Sequence, residues 1–319
     1  MFSVALCIFI LFIVWDIHIL KRRDAALFNT VFRTGRWLVV LYLAAIILFA
    51  IFLKEWWEVE ESFILFFVFP LYFYKRHLFM RQVAEEPRFA VAASALQTIL
   101  YWLFGVLLIS TFFYACNNKW GDLEEMIISG AISSVLLVWL IEKNAPSLGK
   151  AHFWENIGFV RRPVSFGRKI FIPALLGVAM GYFSATIIVE RGVQPDTPLN
   201  KAMGGPHAAW TIPAFIFLAL IVAPFVEEIT FRGYFFEVLK RLKGQRLAFY
   251  VIALTFGALH MAQYWGDWMA ITVIMIMGFV LTGLRVFAGT TAASVTTHYF
   301  YNASVVIIAT LMEAAKGLL

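Results

Sequence analysis

Apolar stretches long enough to cross a lipid bilayer recur along this chain, and they constrain its fold more than any other feature. A helix of about 18 or more apolar residues can span the roughly 30 Å hydrocarbon layer. Of the 319 residues, 62% are hydrophobic and 14% are charged, which is more apolar surface than a water-soluble domain can bury. We therefore predict an all-α fold in the form of a polytopic transmembrane helical bundle.

Apolar runs between charged residues give ten candidate spans, so the expected bundle has about eight to ten membrane-crossing helices. The runs are residues 3–20, 37–53, 62–74, 89–115, 125–141, 169–189, 209–226, 247–264, 268–285 and 290–313. The third run is short and would also fit a re-entrant segment. The first run ends in a basic triplet, Lys21 to Arg23, without a small-residue cleavage site, so we expect a retained helix.

Basic residues gather in alternate loops, which is the distribution expected of the cytoplasmic loops of a multi-pass membrane protein. These basic positions are Lys21 to Arg36, Lys75 to Arg88, Lys143 to Lys169, Lys240 to Arg246, and Arg285. The net charge of +6 therefore indicates membrane orientation, and we expect no nucleic-acid partner. Cys7 and Cys116 are the two cysteines, and their spacing does not match a thiolate metal site.

The longest basic loop divides the chain into three predicted parts. Residues 1–142 form an N-terminal block of transmembrane helices whose role the sequence does not decide, and recruitment of a partner protein is one role we consider. Residues 143–168 form a basic cytoplasmic linker. Residues 169–319 form a C-terminal core that contains the deepest ionisable residues of the chain.

Three polar clusters lie at bilayer depth in three separate spans of this core. An ionisable side chain at that depth costs about 2.5 to 3.5 kcal/mol, so it normally faces a cavity. The clusters comprise Glu227, Glu228 and Arg232; Phe256 and His260; and His298 and Asn302. With a rise of about 1.5 Å per residue, Glu227, His260 and His298 lie roughly 14 to 21 Å inside the cytoplasmic face. We expect one shared chamber that opens toward the cytoplasm.

The spacing within the clusters separates the roles of the two adjacent carboxylates. Residues four apart lie on one face of a helix, so Glu228 and Arg232 are predicted to form an ion pair. Glu227 points about 100° away around the helix and is left for a different role. His298 and Asn302 are also four apart, a spacing that suits two hydrogen-bond donors to one oxyanion.

These clusters resemble the motifs of the CAAX prenyl protease and bacteriocin-processing family of intramembrane endopeptidases, also called the Abi or CPBP family. The family pattern is EExxxR, then FxxxH, then HxxxN on successive helices, and every motif position is filled here. The resemblance covers about residues 169–316. It implies a protease in which Glu227 and His260 activate a water while His298 and Asn302 stabilise the oxyanion. The supporting residues would be Glu228, Arg232 and Phe256.

The metal dependence of such a site stays open at this point. Glu227, His260 and His298 would be the ligands if zinc is used, with a water in the fourth position. The HExxH pattern is absent, and an amide and an arginine-paired carboxylate are poor zinc ligands. We therefore expect a water held without metal and no other cofactor, with zinc as the alternative.

Two other functions fit the same polar residues. An ion- or proton-coupled transporter would use them to bind its ion, and it would need a path to both membrane faces. A non-catalytic scaffold or immunity protein would retain the core without its chemistry. The preferred prediction is an endopeptidase that cleaves a membrane-associated protein or a lipidated peptide in the bilayer.

Overall fold

The computed structural model describes scattered helical positions between residues 91 and 113, and then residues 122–149, 152–159, 164–191, 209–261, 264 and 267–318. All of these residues belong to a compact unit that runs from Val83 to Leu319. The predicted spans at 3–20, 37–53 and 62–74 lie outside the described residues. Within the described part the regular structure is helical and contains no strand, which confirms the all-α prediction.

Seven helices are referred to below: α1 Asp122–Asn144, α2 Phe153–Asn156, α3 Ile172–Arg191, α4 Thr211–Lys243, α5 Gln245–His260, α6 Trp268–Ala288 and α7 Thr291–Leu318. In the described part of the chain, four helices are long and apolar enough to cross a membrane. They are Leu123–Asn144, Gly167–Glu190, Thr211–Lys243 and Trp268–Ala288. These correspond to the spans predicted at 125–141, 169–189, 209–226 and 268–285, and a polytopic helical membrane protein is confirmed.

The helix α4 alternates between α-helical and π-helical segments. Its π-helical segments are Leu218–Val222 and Ile229–Phe235, and the α-helical segment Ala223–Glu228 lies between them. A π-helical turn accommodates an extra residue in a helix and is frequent at functional sites. The two segments therefore determine the direction in which Glu227 and Glu228 point.

The helices α3 and α7 pack with their backbones in close contact at two glycines of α3. A Cβ atom at Gly177 would lie 2.5 Å from the carbonyl oxygen of Thr297, and one at Gly181 would lie 2.5 Å from a side chain of α7. Small residues permit this approach between membrane helices. The Thr297 hydroxyl also donates to the Pro173 carbonyl at 2.9 Å. These contacts fix the rotation of α7 and hence the direction of the next residue, His298.

The segment predicted as a linker, residues 143–168, contributes side chains to the core of this unit. Leu148 and Ile157 are fully buried, and they belong to one apolar cluster with Val226 and Tyr234 of α4. Burial of two such side chains contributes on the order of 3 to 6 kcal/mol. The segment that carries them is thus held against α4, while the boundaries of the three sequence-based parts stay predictions.

Candidate active site

The completely buried carboxylate of Glu228 lies at the centre of the site. Its Oε1 accepts a hydrogen bond from Arg232 Nη1 at 2.9 Å and lies 3.0 Å from His298 Nδ1. An ionised carboxylate only accepts hydrogen bonds, so the Nδ1 atom carries a proton. The ion pair that the spacing of Glu228 and Arg232 predicts is present, and it binds a histidine of α7 as well.

The guanidinium of Arg232 is completely buried and is bound on several sides. Its Nε donates to Thr282 Oγ1 at 3.2 Å, and its Nη2 donates to the Gly278 carbonyl at 3.1 Å. The guanidinium carbon lies 4.2 Å from the centre of the Phe256 ring, within range of a cation–π interaction. A buried ion pair is tolerable only when hydrogen bonds replace the lost water. These contacts replace it for Arg232, whereas the buried Oε2 of Glu228 has no hydrogen-bond partner among the described residues.

The neighbouring Glu227 has a different environment. Its side chain is 30% exposed, whereas that of Glu228 is not exposed at all. Its Oε2 lies 4.0 Å from His298 Nε2. That separation is too long for a direct hydrogen bond. The two carboxylates therefore differ, one in a buried ion pair and one partly exposed, while their catalytic roles stay predictions.

The ring of His260 lies at the end of α5, and its orientation is fixed by its own helix. Its Nδ1 lies 2.8 Å from the Phe256 carbonyl oxygen. A carbonyl only accepts hydrogen bonds, so the neutral ring presents Nε2 as an acceptor. The centre of the Phe256 ring lies 4.7 Å from that of His260 and 6.0 Å from that of His298. The two predicted histidines are thus gathered around one phenylalanine.

The amide of Asn302 has a partner that the sequence alone does not indicate. Its Nδ2 donates to the Ala219 carbonyl at 3.2 Å. Ala219 belongs to the first π-helical segment of α4, where a carbonyl bonds the N–H five residues later. That residue is Pro224, which has no N–H. Asn302 therefore satisfies a carbonyl that proline leaves free, and its second N–H can serve another acceptor.

Several residues that hold this site were missed by sequence reasoning. Thr282 and Gly278 bind Arg232 through a hydroxyl and a main-chain carbonyl, which leave no recognisable motif. Arg285, which the charge pattern assigns to a loop, is 3% exposed and forms a 2.7 Å ion pair with Glu237. The sequence signal that could have indicated this pair is Glu237, an isolated acidic residue near the basic end of α4.

The predicted zinc ligands do not form a three-ligand set. Among the described residues, no group of three His, Cys, Asp or Glu side chains is arranged to hold a metal ion. The Nδ1 atoms of His260 and His298 face a carbonyl and a carboxylate, the contacts that metal-ligating histidines also make through their other ring nitrogen. The metal-free site therefore stays a prediction with zinc as its alternative, and no step below is routed through a metal.

The fold and the site together define a class, that of helical membrane proteins in which glutamates, histidines and a buried arginine are gathered between apolar helices. Comparison with known proteins shows which family the C-terminal part of the chain resembles. Residues 209–304 match the family model described as type II CAAX prenyl endopeptidase Rce1-like. The predicted resemblance to the CAAX protease family is confirmed over these residues.

A curated relative supports the same assignment. The membrane-embedded CAAX protease MroQ of Staphylococcus aureus (strain USA300) is 34% identical over 156 residues. The alignment covers 46% of this chain and 62% of that protein, so the chain spans less than two thirds of the relative's length. No solved structure matches the chain. The two matches support a membrane-embedded protease.

Proposed function

We propose that this protein is an intramembrane endopeptidase that hydrolyses a peptide bond of a membrane-associated or lipidated protein or peptide. The observation that carries the proposal is the placement of Glu227 Oε2 4.0 Å from His298 Nε2, beside the buried pair of Glu228 and Arg232. The family match of residues 209–304 supports the reaction class. The substrate is proposed by class alone.

In the proposed first step, Glu227 acts as the general base. A water bonded to its carboxylate loses one proton to it, and the resulting hydroxide attacks the carbonyl carbon of the substrate. Neutral His260 presents Nε2 as an acceptor, so it can orient the second O–H of the same water. The tetrahedral intermediate then collapses, the C–N bond breaks, and Glu227 returns its proton to the nitrogen of the leaving amine.

The negative oxygen of the tetrahedral intermediate needs hydrogen-bond donors. The second N–H of the Asn302 amide can supply one of them. The other is His298 Nε2, which donates only when the ring is protonated, because Nδ1 already carries the proton that faces Glu228. Glu228 lies beside that ring and would stabilise the imidazolium, as a buried carboxylate does in a catalytic triad.

The direction of access belongs to the proposal as well. We infer that the chamber opens toward the cytoplasm, which rests on the depth of Glu227 and on the basic last turn of α4 at Lys240, Arg241 and Lys243. A partner protein bound through residues 1–142 also stays a prediction.

The experiment that tests the proposal is cleavage of lipidated and membrane-anchored peptides by the native chain in liposomes. Glu227→Gln and His260→Ala should abolish cleavage, and Glu190→Gln, which changes an exposed carboxylate of α3, should retain it. Equal cleavage by native chain and Glu227→Gln would refute the proposed base. Activity lost to a chelator and restored by zinc would instead make Glu227 and His260 metal ligands. Proton uptake without cleavage would favour a transporter.

A further inference from the structure

We infer that Arg285 is a positioning residue for this site, which acts through the backbone of Arg232 and not through the substrate. The inference rests on the proposed function, because its readout is peptide hydrolysis. It concerns a residue outside the three sequence motifs.

The side chain of Arg285 connects α6 to two points of α4. Its Nε donates to the Arg232 carbonyl oxygen at 3.0 Å, and its Nη2 donates to Glu237 Oε1 at 2.7 Å. Only 3% of the residue is exposed, so these bonds are shielded from competing water. A guanidinium presents several donors in a rigid fork, and it can hold both acceptors in one geometry.

The carbonyl that Arg285 binds lies at a sensitive position. Arg232 belongs to the π-helical segment Ile229–Phe235, whose hydrogen bonds are shifted by one residue from those of an α-helix. The backbone of Arg232 also determines where its guanidinium meets Glu228 at 2.9 Å. By holding this carbonyl, Arg285 positions Arg232, and Arg232 positions Glu228. Glu228 in turn orients His298, the proposed oxyanion donor, at 3.0 Å.

The guanidinium of Arg285 is also confined on its opposite side by Gly158. A Cβ atom at Gly158 would overlap Arg285 Nη2, and the backbone there has φ +68°. The glycine is held in place because its carbonyl accepts a hydrogen bond from the Thr291 N–H at 2.9 Å. Arg285 is thus enclosed between α4 and the segment that follows α2.

The first test variant is Arg285→Lys, which separates the two contacts. A lysine still supplies a cation to the buried Glu237, but it cannot reproduce the fork that also binds the Arg232 carbonyl. We expect kcat to fall about 10- to 100-fold, the loss typical of a small misplacement of catalytic groups, with KM unchanged. Lys240→Gln is the matched control, because Lys240 Nζ lies 3.5 Å from the same Glu237 oxygen. It should retain the native kcat.

The second variant displaces the guanidinium without changing any charged group. Gly158→Ala places a methyl group where Arg285 Nη2 lies, and kcat should fall as in Arg285→Lys. Gly289→Ala is its control, because Gly289 has a similar φ of +71° and no atom within 4 Å of an added Cβ. Both alanines carry a backbone cost of roughly 1 to 2 kcal/mol, so a difference in kcat between them reports the displaced side chain.

The outcomes separate this inference from the proposed function. A native kcat in both Arg285→Lys and Gly158→Ala would overturn this inference. A decrease in kcat no larger than the decrease in folded protein, measured by size-exclusion chromatography, would also overturn it. An inactive native chain would overturn the proposed function and this inference together. An active native chain with fully active variants would overturn this inference alone.

Discussion

Exchanging each of the two adjacent carboxylates for its amide should give two different defects. Glu228→Gln changes a group that is not exposed and that binds both Arg232 and His298. Glu227→Gln changes a group that is 30% exposed and makes no bond shorter than 4.0 Å to His298. The first substitution should therefore affect the fold as well as the reaction, and the second should affect the reaction alone.

The structure gives the size of each effect. Loss of the Glu228 charge leaves the completely buried guanidinium of Arg232 without its counterion, and breaking a buried pair in this way costs about 3 to 5 kcal/mol. With an unfolding entropy of about 2.1 cal/mol/K per residue, that corresponds in a chain of 319 residues to a fall in Tm of roughly 4 to 8 °C. Glu227→Gln should change stability by less than about 0.5 kcal/mol, while loss of a general base lowers kcat about 10²- to 10⁴-fold.

The assay compares thermal unfolding in detergent with peptide cleavage per folded molecule, on the same preparations of native chain and both variants. Equal melting temperatures of Glu228→Gln and the native chain would refute the prediction, because the buried pair would then contribute nothing to stability. Equal melting temperatures of Glu227→Gln and Glu228→Gln would refute it as well, because the two carboxylates would then share one structural role.

Two further predictions concern helix packing. Asn302→Leu leaves the Ala219 carbonyl without its donor and should destabilise the protein by about 1 to 3 kcal/mol; a Tm equal to the native value would show that this hydrogen bond is dispensable. Gly177→Ala places a Cβ atom 2.5 Å from the Thr297 carbonyl oxygen and should cost about 1 to 3 kcal/mol. Gly167→Ala, whose Cβ would meet nothing within 4 Å, should melt close to the native chain, and equal melting of both glycine variants would contradict the close packing of α3 and α7.

Apolar runs and helical spacing predict much of this structure because both depend on local sequence. The span predicted at 268–285 coincides with the helix Trp268–Ala288. The spacing of Glu228 and Arg232 predicts their ion pair for the same reason, since four residues form about one turn of any helix. Contacts within one helix can therefore be read from the chain, although the catalytic roles assigned to its residues stay predictions.

Contacts between helices depend on details that local patterns do not contain. The bond from Asn302 to Ala219 exists because a π-helical segment and Pro224 together leave one carbonyl free. The burial of Arg285 depends on Glu237 of α4, which is 48 residues away in the chain. Neither contact follows from residue type or spacing, so the sequence-based reading assigns Arg285 to a loop.

One aromatic ring, that of Phe256, lies against the buried arginine and both histidines of this site. Phe256 is 3% exposed, and its ring contacts the guanidinium of Arg232 and both imidazoles, those of His260 and His298. A smaller side chain there would admit water beside the guanidinium and leave both imidazoles without a common support. In a scan for inactive variants, Phe256 would therefore be grouped with the acids and bases, although it exchanges no proton with anything.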